Sequence, residues 1–129
     1  MAEQKKIITN QDDFALFVSE CGRWIEIYGL KQWEVTFRHE KEECSFGSCV
    51  TNLTGRAATI TLSTEWSQKD YGINNILHTA FHDATELLIA EMIALANYRY
   101  TTEDEIETAS HSVIRTLEKV LYPKYREKA

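Results

Sequence analysis

The sequence predicts a single α+β domain, and three observations support this prediction. Residues 73–98 and 106–121 repeat apolar side chains at helical spacing, whereas residues 32–39 alternate apolar and polar side chains as a half-buried strand does. The length of 129 residues, 43% of them hydrophobic and 26% charged, is typical of one domain with one core. We expect an N-terminal helix, a small three-stranded antiparallel sheet, a long helix and a C-terminal helix. The domain spans residues 1–129, and residues 1–9 are candidates for flexibility.

The first helix is predicted to begin at Asn10 and to end at Gly29. Asn10 and Asp13 have the spacing of a capping box, and a glycine is the commonest residue just after a helix. Between Asn10 and Gly29, apolar residues recur at helical spacing. These residues are Phe14, Phe17, Val18, Cys21, Trp24, Ile25 and Tyr28. Cys21 lies on this apolar face and is therefore expected in the core.

A small sheet is predicted next. Trp33, Val35, Phe37 and His39 share one face of the strand over residues 32–39. Residues 49–53 and 57–63 flank the Thr54-Gly55 pair, which indicates a hairpin. In the second strand of this hairpin, the side chains of Ala58, Ile60 and Leu62 are expected to face the core.

The two remaining elements are helices. The segment from Ile73 to about Tyr98 contains neither Gly nor Pro and is predicted to be the longest helix. The last helix is expected to stop before Pro123, because proline lacks a backbone donor. On a helical wheel at about 100° per residue, one arc of the long helix is expected to face the core. This arc contains Leu77, Phe81, Ala84, Leu88, Met92 and Leu95.

Composition argues against several functional classes. The net charge of −6 repels phosphate backbones, and no Lys/Arg cluster is interleaved with aromatics, so nucleic-acid binding is disfavoured. No apolar run approaches the roughly 20 residues of a membrane span, and no secretory signal is visible. Three cysteines, an odd number, disfavour a disulfide framework and favour a reducing compartment. We therefore expect a cytoplasmic protein.

A polar stripe on the long helix is the main candidate for chemistry. His78, His82 and Glu86 are each four residues apart and form a ladder along one side of the helix. Two histidines four residues apart are a usual way for one helix to bind zinc, and a carboxylate one turn later adds an oxygen ligand. A polar stripe held together by an ion pair is the alternative. His39, Cys44 and Cys49 are spaced too widely, and lack a fourth ligand, for a second metal cluster.

Residues 77–88 resemble the active helix of small zincin-type metallopeptidases, including the SprT-like group and short phage-encoded relatives. The motif there is H-E-x-x-H or H-E-x-x-E, and here it reads H-D-x-x-E. A weaker likeness extends over residues 33–35, 58–62 and 111–118. The resemblance implies a zinc-dependent peptidase, located in the host cytoplasm if phage-encoded. It implies that His82 and Glu86 bind the metal and that Asp83 occupies the general-base position.

Two departures from the motif leave a second hypothesis open. Asp83 replaces a glutamate, which withdraws the carboxylate by roughly 1.5 Å, and Glu86 replaces the commoner second histidine. A catalytic zinc usually has three protein ligands, and His78 and His111 both compete for the third position. A different divalent metal would also suit these ligands. The alternative is a non-catalytic phage-type protein that binds and inhibits a host protein on a degenerate zincin scaffold.

Overall fold

The computed structural model describes residues 5–43 and 45–127, the last six by their backbone alone. The α+β class is confirmed. Cys44 and residues 1–4, part of the segment predicted to be flexible, lie outside the described residues. The elements are β1 Lys6–Ile8, α1 Gln11–Tyr28, β2 Glu34–Glu40, β3 Gly47–Asn52, β4 Ala57–Ser63, β5 Glu65–Ser67, α2 Ile73–Asn97 and α3 Glu103–Glu127.

Both ends of α1 are as the sequence predicts. The Asp13 backbone N–H donates to the Asn10 side chain at 2.8 Å, and the Asn10 N–H donates to Asp13 Oδ2 at 3.0 Å. These two bonds satisfy backbone donors that the first helical turn leaves unpaired. At the other end, Gly29 adopts φ 69°, a left-handed conformation that glycine reaches without a steric penalty.

Loss of the N-terminal cap gives a first testable expectation. Asn10→Ala removes the acceptor for the Asp13 N–H and should lower the free energy of unfolding by about 1 kcal/mol. Urea denaturation followed by circular dichroism measures the change. Gln11→Ala, at an exposed neighbouring position, is the matched control and should leave the midpoint nearly unchanged. Equal midpoints for the two variants would contradict a capping role for Asn10.

The main sheet is mixed, so the prediction of an all-antiparallel sheet is wrong. Its strand order is β2-β4-β3. The hairpin of β3 and β4 is confirmed, with Cys49 opposite Ile60. Strand β2 pairs in parallel with the other edge of β4, where Phe37 also lies opposite Ile60. Alternation of apolar residues indicates which face of a strand is buried and carries no information about strand direction, which explains the error.

A second, two-stranded sheet was absent from the sequence prediction. Strand β1 pairs with β5 in antiparallel orientation, and Ile7 lies opposite Trp66. Each strand has three residues, which is too short for alternation to be recognised. This pairing places Lys6 and Trp66 at the edge of a cleft described below.

Helix α2 has the predicted bounds but a different buried face. Ala84 and Leu88 are buried as expected, whereas Leu77, Phe81, Met92 and Leu95 are only partly buried. The helix packs against α1, β3 and α3, so several of its sides are covered. The most buried arc is therefore rotated from the predicted arc by about one residue, or roughly 100°. The buried residues are Ile76, Ala80, Asp83, Ala84, Leu87, Leu88 and Ala90.

Helix α3 continues past Pro123 to Glu127, contrary to the prediction. A proline removes one hydrogen bond locally, but the preceding five turns are already formed and the helix needs no new nucleation beyond it. Along residues 5–43 and 45–127, no helix is both long and apolar enough to cross a membrane.

Candidate metal centre

A cleft of about 790 Å³ opens beside the N-terminal half of α2. His78, Thr79, His82 and Asp83 of α2 line one wall. The opposite wall consists of the segment that leads into β3, together with β5. These residues are Lys41, Glu42, Glu43, Ser45, Phe46, Gly47, Glu65, Trp66 and Ser67. The cleft therefore lies between α2 and the segment that leads into β3, with β5 beside that segment.

Three side chains of α2 lie close together, and two of them, His82 and Asp83, line this cleft. One potential ligand atom from each of His82, Asp83 and Glu86 lies within 4.8 Å of the others. His82 and Asp83 are adjacent in sequence and Glu86 is one turn later, so helical geometry brings them together. His82 Nε2 lies 3.4 Å from Glu86 Oε1, and these side chains are 66% and 45% exposed.

Asp83 differs from its two neighbours because it is buried. It is 1% exposed, and its Oδ2 has no hydrogen-bond partner among the described residues. A Cβ placed on Gly47 would lie 2.8 Å from this oxygen and 2.9 Å from the backbone oxygen of Thr61. Gly47 therefore provides the space that the carboxylate occupies. A buried carboxylate oxygen without a donor is costly, and a bound cation or proton would stabilise it.

The surroundings of Asp83 favour its neutral form. Burial raises the pKa of the Asp83 carboxyl from 3.8 to about 7, and the negative charges of Glu86 and Glu42 contribute in the same direction. A carboxylate whose pKa lies near neutrality can both accept and return a proton at physiological pH. Asp83 therefore exchanges its proton near neutral pH in the metal-free protein.

Two cysteines near Asp83 are poor candidates for reactive thiolates. Burial, with Asp83 and Glu86 as lesser causes, raises the pKa of the Cys49 thiol to about 12. Burial and the charge of Asp83 also raise the pKa of the Cys21 thiol, which is fully buried as expected. Because the thiolate is the form that binds metals, the donor set at this site is imidazole and carboxylate.

The remaining histidines occupy different places. His78 lines the cleft one turn before His82, although it is not one of the three converging residues. His111 is exposed on α3, two residues after the buried Ala109, and does not line the cleft. The ring of His39 bonds Thr9 Oγ1 at 2.7 Å and stacks on Phe14, which accounts for it without a metal.

Sequence reasoning missed two features of the cleft. Asp83 continues the spacing of Ile76, Ala80 and Leu87, and this periodicity could have indicated that it is buried. For Gly47 no sequence signal exists, because its role depends on the distance to a side chain 36 positions later. Only the packing of β3 against α2 brings the two together.

Comparison with known proteins identifies no relative of this chain. No family model matches it, and neither a curated protein nor a solved structure does. The functional argument therefore rests on the geometry and chemistry of the cleft.

Proposed function

We propose that this protein is a metal-dependent hydrolase of the zincin-like type, with peptides or proteins as substrates. One observation carries the proposal. Asp83 is buried with an unpaired carboxylate oxygen in the wall of a large cleft, directly beside His82 and Glu86. A purely structural polar stripe would not require a buried carboxylate without a donor, because such a group destabilises the fold.

The donor set fits a divalent cation. Zinc binds imidazole nitrogen and carboxylate oxygen at roughly 2.0–2.2 Å, so in its usual tetrahedral geometry two ligand atoms lie about 3.4 Å apart. The candidate ligand atoms lie within 4.8 Å of one another, so rotation of the exposed His82 and Glu86 side chains must bring them about 1 Å closer to bind zinc. We place His78 ahead of His111 as the third protein ligand because His78 lines the same cleft. Zinc is our first choice, although manganese or iron would suit the same ligands.

In the proposed mechanism, His82 and Glu86 would hold the metal. A bound zinc ion would supply Lewis acidity toward a peptide carbonyl and lower the pKa of a coordinated water. Asp83 accepts the proton of the attacking water and returns it to the leaving amine. Gly47 leaves the room that this carboxylate needs.

Elemental analysis tests the metal site. Protein purified without added metal should contain close to one zinc per chain, and His82→Ala should lose it because the variant lacks the central nitrogen ligand. His111→Ala removes an exposed histidine outside the cleft and is the matched control that should keep the metal. The zinc content of His78→Ala tests the third ligand: the variant should lose zinc if His78 binds the metal.

Thermal denaturation provides the second measurement. Zinc at about 100 times its dissociation constant should stabilise the wild type by about 3 kcal/mol, and it should leave His82→Ala unchanged. Absence of zinc from the wild type, combined with no stabilisation when zinc is added, would exclude zinc as the metal of this site.

A second candidate function is favoured by a different observation. His82 and Glu86 lie 3.4 Å apart and can pair with each other without a metal, and Asp83 is one methylene shorter than the glutamate of the motif. Both features suit a non-catalytic, phage-type protein that binds and inhibits a host protein on a zincin-like scaffold. Asp83→Asn separates the two functions. A hydrolase loses peptide cleavage in this variant, whereas an inhibitory binding protein keeps its effect.

A further inference from the structure

An aromatic pair lines the wall of the cleft that lies opposite α2. The rings of Phe46 and Trp66 stack with their centroids 4.5 Å apart and an interplanar angle of 28°. Trp66 is buried, whereas Phe46 is 38% exposed. Since Trp66 packs on one face of the Phe46 ring, the exposed part of Phe46 lies on the other side. An exposed aromatic ring in a cleft, supported by a buried one, favours contact with an apolar or cationic group.

The charges of the cleft favour a cationic ligand. Five carboxylates and two lysines line it, and both lysines pair with the same carboxylate. Lys6 and Lys41 lie 3.4 Å and 3.6 Å from Glu65 Oε2. Glu42 and Glu43 form no ion pair with any cation among the residues whose side chains the structure describes. The segment beside the aromatic pair therefore presents uncompensated negative charge to the cleft.

Glu42 is held in place by two serines. Its Oε1 accepts a hydrogen bond from Ser48 Oγ at 2.6 Å, and its backbone N–H donates to Ser63 Oγ at 3.2 Å. A carboxylate held in this way binds a cation at a lower entropic cost than a freely rotating one. On the opposite wall, Asp83 adds a buried carboxylate oxygen with no hydrogen-bond partner among the described residues. Both walls of the cleft therefore carry carboxylates, which a cation satisfies and an anion does not.

We propose that Phe46, Glu42 and Glu43 form a subsite that binds an arginine or lysine side chain of a peptide substrate. The aliphatic part of such a side chain packs on the Phe46 ring, and its charged group pairs with the carboxylates. Arginine suits both contacts best, because its planar guanidinium stacks on aromatic rings and forms two hydrogen bonds with one carboxylate. The role of the subsite in substrate selection rests on the proposed hydrolase function, whereas the binding itself requires no metal.

Binding of two peptides that differ only in charge tests the subsite. The first is a short, fluorescently labelled, alanine-rich peptide with a single arginine. The second carries citrulline at that position, a neutral side chain of nearly the same shape. Fluorescence anisotropy with the full chain, in a chelator that prevents cleavage, should show about fivefold to tenfold tighter binding of the arginine peptide at low salt. Added salt should reduce the difference, because it screens exposed charges.

Substitutions in the subsite test the residues responsible. The double variant Glu42→Gln/Glu43→Gln should lose most of the preference for arginine, because glutamine keeps the shape of glutamate without its charge. Phe46→Ala should weaken binding of the arginine peptide, because it removes the aromatic ring. The double variant Glu34→Gln/Glu103→Gln changes the net charge equally at exposed positions outside the cleft. This matched control should keep the preference of the wild type.

The outcomes separate the subsite from the catalytic proposal. Absence of binding, equal binding of the two peptides, or a preference for arginine that survives in the Glu42→Gln/Glu43→Gln variant would overturn the subsite. A protein that holds no zinc, yet prefers the arginine peptide and loses this preference in that variant, has the subsite without the hydrolase function.

Discussion

Asp83→Asn is expected to make the metal-free protein more stable than the wild type at pH 8, by about 2–4 kcal/mol. Asp83 is 1% exposed, and burial, followed by the charges of Glu86 and Glu42, raises its pKa from 3.8 to about 7. A shift of this size corresponds to at most about 4 kcal/mol, at 1.36 kcal/mol per pKa unit. Asparagine has nearly the same shape and carries no charge, so the variant avoids burying a carboxylate.

The sign of the pH dependence follows from the raised pKa. The folded protein binds the Asp83 proton more tightly than the unfolded chain does. Its contribution to stability is therefore fully present below about pH 4, declines as the pH rises toward 7, and is lost above that. The difference between Asp83→Asn and wild type should be small at pH 4 and should reach its plateau near pH 8.

Urea denaturation at several pH values, in the presence of a chelator, measures this difference. Asp12→Asn removes one exposed carboxylate and serves as the control for the change in net charge. If the stability curves of wild type and Asp83→Asn run parallel between pH 4 and pH 8, then burial of Asp83 does not perturb its titration.

Gly47→Ala is expected to destabilise the protein by about 1–3 kcal/mol, the usual cost of overpacking a closely packed site. The added Cβ would lie 2.8 Å from Asp83 Oδ2, 2.9 Å from the Thr61 backbone oxygen and 3.0 Å from Thr79 Cγ2. The Thr61 oxygen belongs to β4, at the centre of the main sheet, and cannot withdraw as the end of a flexible side chain could. Part of the strain should displace the Asp83 carboxylate.

Gly22→Ala is the matched control for this substitution. Gly22 lies within α1, is exposed, and has no atom within 4 Å of an added Cβ. The same change should therefore stabilise the protein by about 0.5–1 kcal/mol, because alanine is a better helix former. Guanidinium denaturation of both variants measures the two effects. If Gly47→Ala were as stable as the wild type, Gly47 and Asp83 could not be in close contact.

The Gly47→Ala substitution also tests the proposed metal site. If Asp83 acts beside a metal held by His82 and Glu86, Gly47→Ala should reduce zinc-dependent activity more than zinc content. The substitution is expected to displace the carboxylate and to leave the exposed side chains of His82 and Glu86 in place.

Local sequence patterns were sufficient for the bounds of α1 and α2 and for the hairpin. The capping box of Asn10 and Asp13, the glycine at position 29 and the uninterrupted apolar period after Ile73 each depend on residues within a few positions of one another. Such interactions are encoded in the spacing of residue types, so the bounds of α1 and α2 could be predicted without knowledge of the fold. The closeness of His82 and Glu86 also depends on local spacing alone, because both residues lie on one helix.

Only the tertiary structure decided the direction of β2, the pairing of β1 with β5 and the burial of Asp83. Each depends on segments that are far apart in sequence, as when β3 packs on α2 and places Gly47 against Asp83. Likewise His78 lines the cleft and His111 does not, although both lie on predicted helices. The spacing of residues within a helix determines which side chains share a face, whereas the environment of that face depends on the elements that pack against it.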